Sequence, residues 1–239
     1  VGVSESTVVR FAIELGFSGY PKLQKSLQEL IKNKLTTVQR LELSSDYITE
    51  GHALKGVLKA DMENIRSTME KIDYNTFEDV VNNIFAAKRI YIIGLRSSMA
   101  LAEFLGFYLN IILQNVKTVG YGISDIFEQM INVGEGDLVI GIGFPRYASR
   151  TIDALAFAQD RGATVVAVTD SFLSPLAARA DYSLIAQSNM ASFVDSLVAP
   201  LSVINALIIA VGMREKENIS STFNSLEEIW REYNVYSYN

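Results

Sequence analysis

In Arg89-Ile90-Tyr91-Ile92-Ile93-Gly94, one basic residue is followed by a short, continuously apolar run. Two later runs share its character: Asp137-Leu138-Val139-Ile140-Gly141-Ile142-Gly143 and Ala163-Thr164-Val165-Val166-Ala167-Val168-Thr169. Apolar runs of this length without polar alternation are typical of strands that are buried on both faces. Val116–Val119 and Tyr182–Ile185 are shorter candidates. We therefore expect five strands.

Helical patterns separate these strands, at about 98–113, 123–132, 149–161 and 174–179. A long apolar helix is expected at 193–213, and a leading helix within 36–72. Strands that alternate with helices at this spacing predict an α/β fold, with a five-stranded parallel sheet flanked by helices. Residues 193–213 are about long enough to span a bilayer, but they contain Asp195, Pro200 and Asn205 and lack basic flanks, which indicates a core or interface helix.

Composition excludes several classes of site. The 239 residues include no cysteine and one histidine, His52, so disulfides and thiolate sites are excluded and a histidine metal site is disfavoured. We expect no metal and no cofactor. The net charge is −6, but residues 1–44 carry +2 and the remainder −8. Only the N-terminal part could therefore approach DNA electrostatically.

A helix start stands near the N-terminus, in Val3-Ser4-Glu5-Ser6-Thr7-Val8-Val9-Arg10-Phe11. A capping serine and an acidic residue precede an apolar stripe, which leaves polar side chains on the outward face. Short hydroxyls near a helix N-terminus and a guanidinium one turn later suit contact with phosphates or base edges. The candidate DNA contacts are Ser4, Ser6, Thr7, Arg10 and Tyr20. Any small amphipathic helix with a serine cap would show the same pattern.

Three polar turns follow the three long strands. They are Gly94-Leu95-Arg96-Ser97-Ser98, Gly143-Phe144-Pro145-Arg146-Tyr147-Ala148-Ser149-Arg150 and Thr169-Asp170-Ser171. Backbone N–H groups, hydroxyls and guanidiniums at one sheet edge predict a site for a small phosphorylated ligand. The alternative is that the serines only cap their helices. A dinucleotide site is disfavoured, since neither of the first two turns carries the required glycine series.

Both ends of the chain together resemble a known family. Ser4 to Phe11, followed by Leu15-Gly16-Phe17-Ser18-Gly19-Tyr20, resembles the recognition helix and turn of RpiR-type bacterial transcription regulators. The remainder resembles their sugar isomerase (SIS) domain, through the three strand-end turns and Ser174-Pro175-Leu176-Ala177. The resemblance implies a partial helix-turn-helix domain and start of a linker at 1–44, whose first helices are missing, and an SIS domain with a leading helix at 45–239.

The same resemblance implies a function and a set of site residues. The function is a DNA-binding regulator that senses a phosphosugar effector and acts on operator DNA as a homodimer or tetramer. The implied effector and phosphate site is Gly94, Arg96, Ser97, Ser98, Phe144, Arg146, Tyr147, Ser149 and Arg150. The second loop departs from the common Ser-Gly form of the family, which makes Arg146 or Arg150 a candidate phosphate partner.

Two alternatives to a regulator remain open. A phosphosugar isomerase on the same fold needs a general base, yet the sheet domain has no histidine, and Glu103 and Glu128 lie in or near helices rather than in strand-end loops. We therefore expect no catalytic residues and no enzyme activity. A purely structural SIS dimer would leave the clustered arginines and serines without a role. No secretory signal or membrane segment is recognised, so we expect a cytoplasmic protein.

Overall fold

The computed structural model describes residues 4–24, 27, 35–44 and 52–237. The chain divides into two compact units, one formed by 1–56 with 191–194 and the other by 57–190 with 195–239. The N-terminal unit contains α1 (Glu5–Glu14) and α2 (Thr37–Ser44), and residues 20–24 are also helical. Ser4 caps α1 by accepting a hydrogen bond from the Thr7 amide, as the sequence predicts.

The larger unit follows from α3 onward. Its helices are α3 (Ala53–Lys71, which begins before the unit boundary), α4 (Tyr74–Ala86), α5 (Met99–Leu113), α6 (Ile126–Gln129), α7 (Ser149–Gln159), α8 (Val198–Arg214) and α9 (Lys216–Glu232). Its strands are β1 (Ile90–Gly94), β2 (Val116–Val119), β3 (Leu138–Ile142), β4 (Thr164–Thr169) and β5 (Tyr182–Ile185). Short 3-10 turns lie at Arg96–Ser98 and Ala177–Arg179.

The five strands form one parallel sheet in the order β2-β1-β3-β4-β5. This confirms the predicted α/β fold, and every predicted strand is present. One apolar layer packs α4, α5 and α8 on one face of the sheet. A second layer packs α6 and α7 on the other face. The three long strands are buried on both sides because each faces helices above and below.

Three predicted helices were too long. The helix expected at 193–213 begins at Val198, because Pro200 favours the first turn of a helix and cannot donate an internal bond. The helix expected at 123–132 is the single turn α6, which Asp125 and Glu128 start with a capping box. The pattern at 174–179 gives only the 3-10 turn Ala177–Arg179.

The apolar helix α8 lies in the core, as its sequence suggested. Ala199, Val203, Ile204, Leu207 and Val211 are buried, whereas Ile209 and Met213 are exposed. Within the described residues, no single helix has both the length and the apolarity to cross a membrane. Only α8 together with most of α9 passes that test, and the two are bent by 109°.

Candidate functional site

The sheet places the first two polar turns side by side. β1 and β3 are neighbours, and Gly94 is paired with Ile142 at their carboxyl ends. The helix that follows β1 packs on one face of the sheet, and the helix that follows β3 packs on the other. Two connections that leave adjacent strands in opposite directions open a crevice at that edge, where α/β sheets bind ligands.

The first turn is compact because Gly94 has no side chain. A Cβ at Gly94 would lie 2.6 Å from the Ser98 carbonyl oxygen and 3.2 Å from the Ala102 Cβ. The chain therefore passes directly from β1 through the 3-10 turn into α5. Arg96 adopts a left-handed conformation with φ of 58°, which is uncommon for a non-glycine residue and concentrates at functional sites.

The serines of this turn differ in exposure. Ser98 is buried, whereas Ser97 and Arg96 are exposed. Ser98 occupies the N-cap position of α5, yet its side chain makes no capping hydrogen bond. Capping of α5 is thus not the role of the Ser98 side chain in this structure.

The second turn also contains an arginine with a left-handed backbone conformation. Gly143, Phe144 and Pro145 are buried, and Arg146 follows, exposed, with φ of 66°. A Cβ at Gly143 would lie 2.7 Å from Leu176 Cδ2, so this turn is also held close to its neighbour. Ser149 is exposed at the first position of α7, after the N-cap residue Ala148.

Tyr147 connects the second turn to the third. Its hydroxyl donates a 2.7 Å hydrogen bond to Asp170 Oδ1, and the Thr169 hydroxyl donates to the same oxygen at 3.2 Å. Burial raises the pKa of the Tyr147 phenol well above its ordinary value, and the neighbouring Asp170 carboxylate raises it further. Tyr147 therefore remains protonated, and because its one proton is donated to Asp170, its oxygen can only accept a hydrogen bond from a further group.

Arg150 points toward a different element. Its guanidinium forms an ion pair with Asp125, the N-cap residue of α6, and lies 5.1 Å from the centre of the Phe127 ring. Of the two arginines that the sequence offered for phosphate, Arg146 thus lies in the strand-end loop, whereas Arg150 is engaged with the neighbouring helix.

Two polar residues after β5 belong to the same sheet edge and were not among the predicted site residues. Gln187 Nε2 donates to the Asp170 carbonyl oxygen at 3.1 Å. The Ser188 hydroxyl is buried without a hydrogen-bond partner among the described residues. Both residues follow the end of β5. Polar residues directly after a strand are the same signal that predicts the first three turns, so the sequence contains a signal for these two residues as well.

The rest of the described chain was also considered for metal sites and ligand-binding depressions. No group of three or more His, Cys, Asp or Glu side chains among the described residues could hold a metal ion. An open depression of about 400 Å³ lies at the opposite, amino edge of the sheet, lined by residues that include Gln159, Thr164 and Tyr182. It contains none of the predicted site residues.

The predicted DNA contacts lie on α1, at its N-cap residue Ser4, and at Tyr20, where the helical residues 20–24 begin. The hydroxyls of Ser6 and Thr7 lie 2.8 Å and 2.9 Å from the Ser4 Oγ, and all three residues are exposed, as are Arg10 and Tyr20. Ala12 is buried on the opposite side of α1. The expected inward apolar stripe is not buried, however: Val9, Phe11 and Leu15 are exposed as well, so burial does not set the polar residues apart and the DNA contacts stay a prediction.

Comparison with known proteins identifies the family. The SIS domain model matches residues 83–210, which is more than half of the chain. The chain belongs to the SIS domain family. A crystal structure of the sugar isomerase domain of an RpiR transcription factor from Sphaerobacter thermophilus is 30% identical, with a TM-score of 0.71 over 74% of this chain and 99% of that one.

Two further relatives extend beyond the SIS domain. An uncharacterized HTH-type transcriptional regulator of Haemophilus influenzae is 29% identical over 228 residues, which cover 92% of this chain and 77% of that protein. The structure of Vibrio vulnificus NanR complexed with ManNAc-6P has a TM-score of 0.62 and 19% identity, over 97% of this SIS protein and 82% of NanR. The NanR likeness shows a shared fold alone.

Proposed function

We propose that this chain is a DNA-binding transcription regulator whose SIS domain binds a phosphorylated sugar where β1 and β3 end. The observation that carries the proposal is Ser98, a buried residue at the start of α5 whose side chain makes no capping bond, in a turn that closes over Gly94. Amides at a helix N-terminus and a hydroxyl that makes no capping bond together provide donors for a phosphate.

The second turn supplies groups for the rest of such a ligand. Arg146 lies in the loop next to the proposed phosphate position, and a guanidinium can pair with phosphate oxygens. Tyr147, whose proton is donated to Asp170, provides a fixed oxygen that can accept a hydrogen bond from a sugar hydroxyl. NanR was solved with ManNAc-6P, a sugar phosphate, on the same fold, which supports this class of ligand.

The N-terminal unit provides the DNA-binding part of the proposal. The relative in Haemophilus influenzae is named an HTH-type transcriptional regulator, and its similarity extends over 92% of this chain. Ser6, Thr7 and Arg10 on the exposed side of α1 are the proposed contacts with DNA. Two copies of such a helix in a dimer would contact two half-sites of an operator.

The sugar is bound without being converted, because the Asp170 carboxylate of the third turn already accepts the Tyr147 and Thr169 hydroxyls and the other candidates are unsuitable. Tyr147 holds its proton, since its pKa is raised, and an arginine side chain stays protonated. The Glu128 carboxylate accepts the Asp125 amide in the capping box of α6, and Glu103 is exposed on α5. NMR in deuterated water should show no protein-dependent exchange of the α proton of a bound aldose or ketose phosphate; exchange, or formation of the isomer, would contradict this point.

Calorimetry with a panel of hexose, hexosamine, pentose and keto-sugar acid phosphates tests binding. Ser98→Ala should weaken the best ligand by about 1–2 kcal/mol, or roughly 5- to 30-fold, as expected for a hydrogen bond to a charged group. Ser225→Ala is the matched control, since the Ser225 hydroxyl bonds only the Ser221 carbonyl within α9. Equal affinity for the dephosphorylated sugar, or an unchanged affinity in Ser98→Ala, would refute the proposed site.

A further inference from the structure

The segment that follows β5 connects helix α3 with the third polar turn. The Ala186 amide donates to the Thr169 carbonyl oxygen at 2.8 Å, and Gln187 Nε2 donates to the Asp170 carbonyl oxygen at 3.1 Å. The Gln187 backbone amide donates to the Thr68 hydroxyl oxygen of α3 at 2.8 Å. Gln187 is buried and bonds both neighbours, so it links the third turn to α3.

Helix α3 holds the same segment at a second point. Asn64 Nδ2 donates to the Asn189 carbonyl oxygen at 2.9 Å, and Asn64 Oδ1 accepts from the Asn189 amide at 3.2 Å. Asn64 and Thr68 are four residues apart, which places them on one face of the helix, and both are buried. Between Gln187 and Asn189, the Ser188 hydroxyl is buried without a hydrogen-bond partner among the described residues. Such a hydroxyl costs free energy, so the bonds from α3 stabilise a conformation that Ser188 opposes.

These polar contacts set the position of the segment. Among the described side chains, neither apolar layer of the sheet domain includes a residue of α3. The Ser196 hydroxyl adds a further hydrogen bond to this helix, since it donates to Asp61 Oδ1 at 2.6 Å. A hydrogen bond limits both the distance and the direction of its partner, whereas apolar contact is non-directional. We therefore expect residues 187–189 to move if Thr68 or Asn64 loses its bond.

The third turn continues this connection to the proposed sugar phosphate site. Asp170 Oδ1 accepts the Tyr147 hydroxyl at 2.7 Å, and Tyr147 belongs to the second turn. Hydrogen bonds thus join successive residues from α3 to that turn, in the order Thr68, Gln187, Asp170 and Tyr147. None of these four residues is exposed, and hydrogen bonds away from water are stronger and polarise one another. A change in one bond of this chain therefore alters the next.

We propose that Thr68 and Asn64 are positioning residues of the sugar phosphate site. By holding residues 187–189 they hold Asp170, and with it Tyr147, in the arrangement that binds the ligand. This inference rests on the proposed function, and it adds to the binding machinery the buried face of α3, which lies outside the three turns. The coupling is reciprocal: if the bond between Thr68 and Gln187 raises the affinity for the ligand, the ligand stabilises that bond by the same factor.

Backbone amide NMR of the sugar-free protein tests the connection itself. Thr68→Val keeps the branched shape of the side chain but removes the hydroxyl that accepts the bond from the segment. The amide resonances of Asp170 and Tyr147 should then shift, together with those of 187–189. Thr68→Ser retains the hydroxyl and should restore the wild-type positions, and Ser67→Ala is the matched control beside it. Shifts confined to α3 and residues 187–189 would overturn the proposal, whether or not a sugar phosphate binds.

Calorimetry tests the positioning role. Thr68→Val should weaken binding of the best sugar phosphate at least about threefold, within the range of coupling between linked residues, whereas Thr68→Ser and Ser67→Ala should stay within about twofold of the wild type. Circular dichroism would check that the variants are folded. An affinity in Thr68→Val that equals that of the wild type would overturn the positioning role and leave the sugar site itself in place.

Hydrogen exchange of the wild-type protein provides a measurement that needs no variant. Because the coupling is reciprocal, the best sugar phosphate should slow exchange of the Gln187 and Asn189 amides relative to the amides of α9. Amides at 187 and 189 that slow no more than those of α9 would overturn the proposal. A wild-type protein that binds no sugar phosphate would refute the proposed function and the positioning role with it, and the resonance shifts without sugar would still show whether α3 is connected to the second turn.

Discussion

Replacing Gly94 with alanine places a methyl group in the tightest part of the proposed sugar phosphate site. The new Cβ would lie 2.6 Å from the Ser98 carbonyl oxygen, about 0.8 Å less than the 3.4 Å at which ordinary contact begins. The opposing atom belongs to the backbone, so the 3-10 turn and the start of α5 must move. Overpacking of this kind costs typically 1–3 kcal/mol. For a unit of this size, we expect the melting temperature to fall by roughly 2–12 °C.

Binding should suffer more than stability in the Gly94→Ala variant, because the displaced atoms are those proposed to hold the phosphate. Calorimetry below the melting temperature should show at least about a tenfold loss of affinity for the best sugar phosphate. Gly122→Ala is the matched control, since its Cβ would meet no atom within 4 Å and its φ is not positive. A Gly94→Ala protein that binds as tightly as the wild type would refute the assignment of this turn to the phosphate.

Three further predictions concern single side chains. Leu207→Ala, in the core between α8 and the sheet, should lower the free energy of unfolding by about 2–5 kcal/mol in urea titrations; a loss below 1 kcal/mol would contradict its place in that core. Arg146→Ala should reduce sugar phosphate affinity in calorimetry more than Arg150→Ala, because Arg146 lies in the strand-end loop whereas Arg150 is directed to Asp125 of α6; the reverse order would contradict this. The pKa of Tyr147 is raised in the folded protein. The protonated phenol therefore contributes its full stabilisation below its ordinary pKa near 10, and this stabilisation is lost as the pH rises above that value. Between pH 9 and pH 11 the Tyr147→Phe variant should lose less stability than the wild type, and equal losses would contradict the shift.

Local pattern was sufficient to predict the strands. Runs such as Ile90 to Gly94 are rich in β-branched residues and uninterrupted by polar ones, and helices on both faces of the sheet cover them. The turns after β1 and β3 were predicted for the same reason, since a strand end is visible in the sequence. Helix lengths were less predictable, because Pro200 and the Asp125 cap set the ends of α8 and α6 through local geometry that periodicity does not capture.

Contacts between distant segments could not be predicted from one sequence. The Tyr147 hydroxyl meets Asp170 because β3 and β4 are neighbours, and Gln187 reaches the same turn from β5. The engagement of Arg150 with α6 likewise depends on how two helices pack on one face of the sheet. The orientation of α3 is a clearer case, because only the packing of distant segments shows that Leu58 and Met62 are exposed while Asn64 and Thr68 are buried and hydrogen-bonded to residues 187–189.

Backbone amide NMR during a sugar phosphate titration tests the central claim most directly. With the tightest ligand of the panel, we expect the largest shifts at residues 94–98 and 143–149, where β1 and β3 end, and no shifts of that size with the dephosphorylated sugar. Shifts confined to the depression around Gln159, Thr164 and Tyr182 at the opposite edge, or no shifts with any sugar phosphate, would contradict the account.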